Sequence, residues 1–285
     1  MLEATGVSLV TVALLVLACW AAGLCPSRAR RRARLIEICL VLLGLMQELQ
    51  RHRGLSCAIL DRRRDFRSAL DANEYKLLRS LDAVGARHGK RHAVFRDERW
   101  RIVLGRWEAL RNNWRGLSYE TSIFAHGEVI AGLIEILTSL AEENRQLLGD
   151  DHVRCIAEWP QLIEDLGLLR AMGLHLLGHR PTNEDQLQGD KIATQLNDGR
   201  SRLRQIGQSG IDRALSVRTR RAFHRVSWLL DGNAERYHPY TFYEEMTAVI
   251  DDWYGVLRNR LQEIAADDSV ARKLVTGLRP QPKAG

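Results

Sequence analysis

The sequence predicts an all-α protein: an N-terminal transmembrane helix followed by two packed antiparallel four-helix bundles. Three observations predict it. Val7 to Cys25 is a run of 19 residues without a charge, followed at once by Arg28, Arg30, Arg31, Arg32 and Arg34. No proline lies between Pro26 and Pro160, although proline is the strongest helix breaker. Apolar residues recur at steps of three and four, and no stretch alternates Val, Ile and Thr with the period of two that a strand requires. The chain has 285 residues, 45% hydrophobic and 27% charged. That is enough for a large core, too charged for a polytopic membrane protein and too apolar for wholesale disorder.

The first element is the anchor, residues 1–27, with a basic juxtamembrane segment at 28–34. At 1.5 Å per residue the uncharged run just spans a hydrocarbon layer of about 30 Å. The arginines follow the run, whereas a cleavable signal peptide carries its charges in front. Positive charge stays cytoplasmic, so the expected placement is single-pass in the inner membrane with the soluble domain in the cytoplasm. The alternatives are a cleaved or lipidated signal through Val16-Leu17-Ala18-Cys19, and an apolar helix packed into the fold. The arginine tract also explains the net charge of +7. From residue 35 onward 37 basic groups face 34 acidic ones, and a nucleic-acid reading loses most of its support. The five cysteines form no CxxC pair, which fits a reducing compartment and gives no metal site.

The helices that follow are expected near 31–71, 74–87, 94–115, 118–147, 152–178, 184–207, 211–231 and 241–266, with a short tail helix near 269–277. Gly89, Gly149-Asp150, Arg180-Pro181-Thr182, Asp231-Gly232-Asn233 and His238-Pro239 punctuate them. Short loops imply antiparallel neighbours, and eight helices suit two bundles, approximately 35–148 and 150–268, leaving 269–285 as a tail. The apolar run Leu35 to Met46 is too short to cross a bilayer and reads as buried helix.

Two arginines sit where leucines belong. On the first long helix, alternating steps of four and three give Leu42, Met46, Leu49, Arg53, Ser56 and Leu60. The same steps on the fifth give Trp159, Ile163, Leu166, Arg170, Gly173 and Leu177. Each pair is offset by 117 residues, which suggests an internal repeat. Such spacing marks the stripe facing a bundle core, so both guanidiniums are expected to point inward. A buried guanidinium requires a counter-charge. Either a carboxylate such as Glu128, Glu135 or Asp165 supplies it as a structural salt bridge, or a small anion does. Ser56 and Gly173 are expected to leave room beside the arginines, and a guanidinium matches a planar oxyanion bidentately.

These segments are also familiar as a set. Leu49-Gln50-Arg51-His52-Arg53-Gly54-Leu55-Ser56 resembles the LQxERGxS signature of the nitrate- and nitrite-sensing (NIT) domain. Ser122-Ile123-Phe124-Ala125-His126 with the Val129 to Leu137 run resembles the family's SFxxH-x-x-LI helix. Leu166 to Gly173 resembles its LGxLRxxG helix, and Pro239 to Asp251 (PYTFYEEMTAVID) a late aromatic, Thr and Ile-Asp pattern. Together they cover about residues 40–265. The resemblance implies paired helical bundles that bind a small anion near their interface, with Arg53 at the arginine of the ERG motif and Arg170 at that of the second motif. His52 departs from the pattern, since the family commonly has Glu there. It also implies an output module in most members. None follows here, so this chain is expected to be a membrane-anchored member without one, signalling through a separate protein or by dimerisation.

Other features have plainer readings. Trp100, Trp107 and Trp114 recur every seven residues, and although arginines surround them, a core stripe explains them better than base stacking. His175 with His179, and His88 with His92, have metal-compatible spacing but no third ligand. His126 falls in the seam with Ile130, Leu133 and Leu137 and is a candidate for lining the same interior as the arginines. No nucleophile elbow, phosphate loop or dinucleotide motif occurs, and no enzyme is expected. The expected ligand residues are Arg53, Arg170, Ser56, Gly173 and His126, with no cofactor, metal or nucleic acid. The function expected is sensing of nitrate, nitrite or a similar oxyanion. The alternatives are a membrane-tethered helical adaptor with structural arginines, and a receptor of the same fold for another small ligand.

Overall fold

Helices make every regular element among the described residues, and no strand occurs there. In a computed structural model of the chain, the backbone is described for residues 4–178, 185–207, 211–234 and 237–277, and side chains for 28–178, 189–207, 211–234 and 237–265. The elements are α1 (Ala4–Leu60), α2 (Arg67–Ala83), α3 (Glu98–Asn113), α4 (Tyr119–Glu143), a short α5 (Arg145–Leu148), α6 (Asp150–Leu176), α7 (Asp185–Gly207), α8 (Arg213–Trp228) and α9 (Pro239–Gly277). The all-α expectation therefore holds. Residues Cys39–Arg258 form one compact unit, and the stretches Met1–Ile38 and Asn259–Gly285 fall outside it. Every side chain of the site described below lies within Cys39–Arg258.

The helix ends follow local chemistry. The side chains of Asp97, Ser118 and Asp212 accept hydrogen bonds from the backbone N–H of Arg99, Thr121 and Ala214, which caps α3, α4 and α8. Gly149 and Gly232 adopt φ of 86° and 85°, and these left-handed turns break the chain where glycine was expected to break it. Boundaries differ from expectation at two places: the first long helix stops at Leu60 rather than near residue 71 and the second starts at Arg67 rather than near 74, and the helix expected near 118–147 divides into α4 and α5. Arg62 takes φ 63°, the Arg62 N–H donates to Ile59 O, and the Arg63 N–H donates to Ala58 O. This is a Schellman stop with arginine in the left-handed position that glycine usually fills. The tail helix expected near 269–277 is continuous with α9, which runs to Gly277. The break expected at Arg180-Pro181-Thr182 lies outside the described residues.

The core is the one the seams indicated. Leu42, Met46, Leu49, Trp159, Ile163 and Leu166 are all buried, as are Trp100, Trp107 and Trp114. Backbone helix covers the expected anchor, residues 7–25, while its side chains lie outside the described residues. Among the described residues α4 is long and apolar enough to cross a membrane. Its residues Val129, Ile130, Leu133, Ile136 and Leu137 are buried inside the protein, however, which is the pattern of a core helix.

Candidate functional site

Both seam arginines point inward as expected, and both are fully buried. The Arg53 guanidinium forms a fork with Glu164 of α6: Nη1 donates to Oε1 at 2.5 Å and Nη2 to Oε2 at 3.1 Å. Gln50, one turn earlier on α1, adds a bond from Nε2 to the same Oε2 at 2.7 Å. The counter-ion is thus the neighbour of Asp165, and none of the three carboxylates expected from the sequence. Asp165 faces α7 instead, accepting from Gln195 Nε2 at 2.7 Å with Arg202 Nε 2.9 Å from its other oxygen. One residue along a helix rotates a side chain by 100°, and that rotation decides which of two adjacent acids meets Arg53.

Arg170 has a different environment. Its Nη2 donates to the backbone oxygen of Gln50 at 2.7 Å and its Nη1 to Thr247 Oγ1 of α9 at 2.8 Å. The guanidinium carbon sits 4.9 Å from the centre of the Tyr243 ring. No carboxylate pairs with it among the described residues. Burial accordingly pulls its pKa below the ordinary arginine value, and the nearby Arg53 charge pushes the same way. On both arginines the Nε is buried and makes no hydrogen bond among the described residues. Two buried cationic donors are therefore left over in a cluster that is otherwise closely bonded, and such donors are costly.

Gln50 joins the two arginines. Its side-chain oxygen accepts from Tyr254 at 2.9 Å, its amide donates to Glu164, and its backbone oxygen receives Arg170. Glycines let the helices approach here. A Cβ on Gly167 would lie 3.0 Å from Arg53 Nη2, and one on Gly54 would lie 3.2 Å from Arg170 Nε. The contacts are reciprocal: Arg53 meets the position three residues before Arg170, and Arg170 meets the position three residues before Arg53. On the rim, Asp251 of α9 pairs with Arg51 at 2.7 Å and accepts from Gln47 at 2.6 Å.

The remaining expected residues behave differently. Ser56 is buried and donates to Arg53 O of its own helix at 3.1 Å. A Cβ on Gly173 would lie 2.4 Å from Phe242 Cζ, so the space expected beside Arg170 is filled by the Phe242 ring. His126 joins a second polar chain. Its Nδ1 donates to Ser122 O at 2.7 Å, its Nε2 lies 2.8 Å from His52 Nδ1, and His52 Nε2 lies 3.3 Å from Glu74 Oε1. Burial holds His52 below the ordinary histidine range and His126 well below it, while the hydrogen bond from His52 lowers Glu74. Of the other histidines, His175 bonds Asp61 at 2.9 Å, and His92 is buried with its ring stacked near His88. His179 lies outside the described residues.

Two fully buried guanidiniums thus lie on facing helices, one paired with Glu164 and the other held by neutral oxygens. Residues 44–265 match the family model for nitrate and nitrite sensing, NIT. The chain belongs to the NIT family. NIT is a sensing family rather than an enzyme family. The protein is also similar in structure to the NasR transcription antiterminator, at a TM-score of 0.55 and 14% identity, over 92% of this chain and 77% of that one. At that identity the likeness concerns the fold. No curated protein is significantly similar to the chain in sequence.

Arg53 and Arg170 are buried and point inward, as the seam spacing predicts. Gln50, Glu164, Thr247, Tyr243 and Tyr254 were not anticipated as partners. Gln50 lies inside the first motif, and Thr247 and Tyr243 inside the last, so motif membership was the signal available for these three. Glu164 and Tyr254 lie outside the quoted motifs, and only the packing of α6 and α9 against α1 identifies them.

Proposed function

We propose that this NIT protein senses nitrate or nitrite by holding the anion between Arg53 and Arg170. The observation that carries the reading is the pair of fully buried guanidiniums on facing helices, each with an Nε donor left without an acceptor. A planar oxyanion presents oxygens in its plane and takes paired donors from a guanidinium edge. Thr247, Tyr243 and Gln50 hold Arg170 in position for it. Gly173 and Ser56 contribute by size, and His126 contributes through His52, the neighbour of Arg53. In this reading residues 35–268 form the sensor, with bundles at approximately 35–148 and 150–268 whose junction carries the site.

The finer organisation is part of the same proposal. Residues 1–27 anchor the chain in the inner membrane and 28–34 hold the basic side in the cytoplasm. Occupancy is read by a separate signalling protein or by a second copy of the chain. The uncharged run and the arginines behind it support the anchor. A reporter fused to the C-terminus and active only in the cytoplasm tests the orientation, and activity of a reporter restricted to the other side would overturn it.

The Arg53–Glu164 fork favours one competing reading, a membrane-tethered adaptor whose arginines are structural. The melting temperature of the full chain in detergent, titrated with sodium nitrate, nitrite, chloride and sulfate at constant ionic strength, separates the two. A ligand at 100 times its dissociation constant stabilises by about 2.7 kcal/mol. A saturating rise for nitrate or nitrite and not for chloride, abolished by replacing Arg170, is the expected result. Four superimposable curves would leave the adaptor.

A further inference from the structure

We propose that Glu164 is a built-in competitor for the anion, occupying the Arg53 fork until nitrate or nitrite displaces it into the cleft between α4 and α6. The inference rests on the sensing function proposed above and adds the residue that sets its affinity and its selectivity.

The geometry makes Glu164 a close imitation of the ligand. A carboxylate and a nitrite ion both present two oxygens from one central atom, with one negative charge shared between them. The Arg53 fork accepts the Glu164 oxygens at 2.5 and 3.1 Å, the bidentate arrangement that a free planar oxyanion would adopt. Gln50 Nε2 completes the set at 2.7 Å. Nothing in this cradle distinguishes a tethered carboxylate from a free planar monoanion.

Glu164 also has somewhere to go. Arg53 is completely buried, whereas the Glu164 side chain is 16% exposed. Its open side lines a cleft of about 390 Å³ between α4 and α6, where Gly127 and Ala131 keep the α4 wall low and Gln161 offers a neutral polar neighbour. The cleft is thus the route by which an anion reaches Arg53 and the space into which the displaced carboxylate turns. Glu135 on the same cleft opposes that turn by like charge.

The exchange is balanced in charge. One monoanion leaves the guanidinium and another arrives, so Arg53 is never buried without a counter-ion, and the freed carboxylate returns to water. A dianion such as sulfate would add a buried charge, and its tetrahedral oxygens fit the fork and Gln50 less well. Chloride has no second acceptor for the fork. A tethered competitor acts at an effective concentration on the order of mM or more, so it weakens the apparent affinity of every free anion.

The test is nitrate binding by the full-length chain in detergent at constant ionic strength, followed by thermal shift, for the wild type, Glu164→Gln and Glu164→Asp. Glutamine keeps the size but removes the competing charge. Aspartate keeps the charge but draws it back by one methylene, and it covers the case in which the glutamine variant folds poorly. The expected result is a Kd for nitrate lowered about tenfold or more by Glu164→Gln and by a smaller factor by Glu164→Asp, with both variants melting lower than wild type when only chloride is present. If wild type responds to nitrate and neither variant binds more tightly, Glu164 is a structural partner and the competitor is refuted. If nitrate and chloride act alike on all three proteins, the sensing function itself fails.

Discussion

Replacing each buried arginine by methionine should have unequal consequences, because the two are satisfied in different ways. Arg170 has no carboxylate partner among the described residues, so Arg170→Met removes a desolvated charge without stranding an opposite one. The loss comprises two charge-assisted hydrogen bonds, at about 1.5–3 kcal/mol each, and a cation–π contact worth about 2 kcal/mol when desolvated. The gain is relief of a desolvation penalty of several kcal/mol, so the balance should lie within about 2 kcal/mol of zero. Arg53→Met instead leaves Glu164 in the seam with only the Gln50 amide, and breaking a buried pair in this way costs about 3–5 kcal/mol. The partial exposure of Glu164 places the cost toward the lower end. Chemical denaturation of both full-length variants in sodium chloride measures the difference, and nitrate titration of the same samples should yield no stabilisation in either. An Arg170→Met variant that is destabilised as much as Arg53→Met would refute the reasoning, since it would mean that Arg170 has an ionic partner of equal weight.

Three further outcomes follow from the packing and the buried acids and bases. Gly173→Ala places a Cβ 2.4 Å from Phe242 Cζ and should destabilise by about 1–3 kcal/mol in thermal denaturation, with Phe242→Leu on the same chain restoring much of the loss. Burial pushes Asp165 up to about 6 against an ordinary value near 4, so the folded chain binds its proton more tightly than the unfolded chain does. Stability from this group is greatest below about pH 4 and declines by about 3 kcal/mol as pH rises through 6 to about 7; Asp165→Asn should remove that slope from denaturant midpoints measured between pH 4 and 7. His52 and His126 have the opposite sign. Burial depresses both, so the unfolded chain takes up protons first, and their stabilisation is present above about pH 6.5 and lost as pH falls. Asp165→Asn should therefore steepen the acid-side loss, and His126→Asn added to it should make that loss shallower.

The parts legible in the sequence were those governed by period and by motif. The stripes through Leu42 and Trp159 placed six core residues correctly and aimed both arginines inward, because a fixed rotation per residue determines which side chains share a face. Glycine breaks at 149 and 232 were legible because positive φ favours glycine. The stop after Leu60 was not, because Arg62 occupies the left-handed position and nothing in its identity announces it. Pairing was the least legible level. Glu164 and Asp165 are adjacent acids on one helix, and which of them meets Arg53 depends on how α6 is rotated against α1. The room expected beside Gly173 was filled by a ring 69 residues further along the chain, for a small residue in a core stripe signals close approach as readily as it signals a cavity.

The reciprocal contacts give the 117-residue offset a physical meaning that six matching seam positions could not. Arg53 lies against Gly167 and Glu164 on α6, and Arg170 lies against Gln50 and Gly54 on α1. Equivalent positions on two helices meet each other's equivalents only where the helices cross with approximate two-fold symmetry. Arginines at matched positions near such a crossing approach one seam from opposite sides, and their like charges oppose close packing of α1 on α6. The chain offsets that repulsion unevenly, giving Arg53 a carboxylate and Arg170 only neutral oxygens. An anion held by both arginines would make the two sides equivalent. A ligand shifts a conformational equilibrium only through its differential affinity for the two states, and this asymmetry supplies one. With Glu164 in the fork, α1 is tied to α6 by the Arg53–Glu164 pair and, separately, by Arg170 on the Gln50 backbone oxygen, whereas a shared anion would join the two arginines directly. The spacing of these two helices is therefore the coordinate along which occupancy of the site would be transmitted.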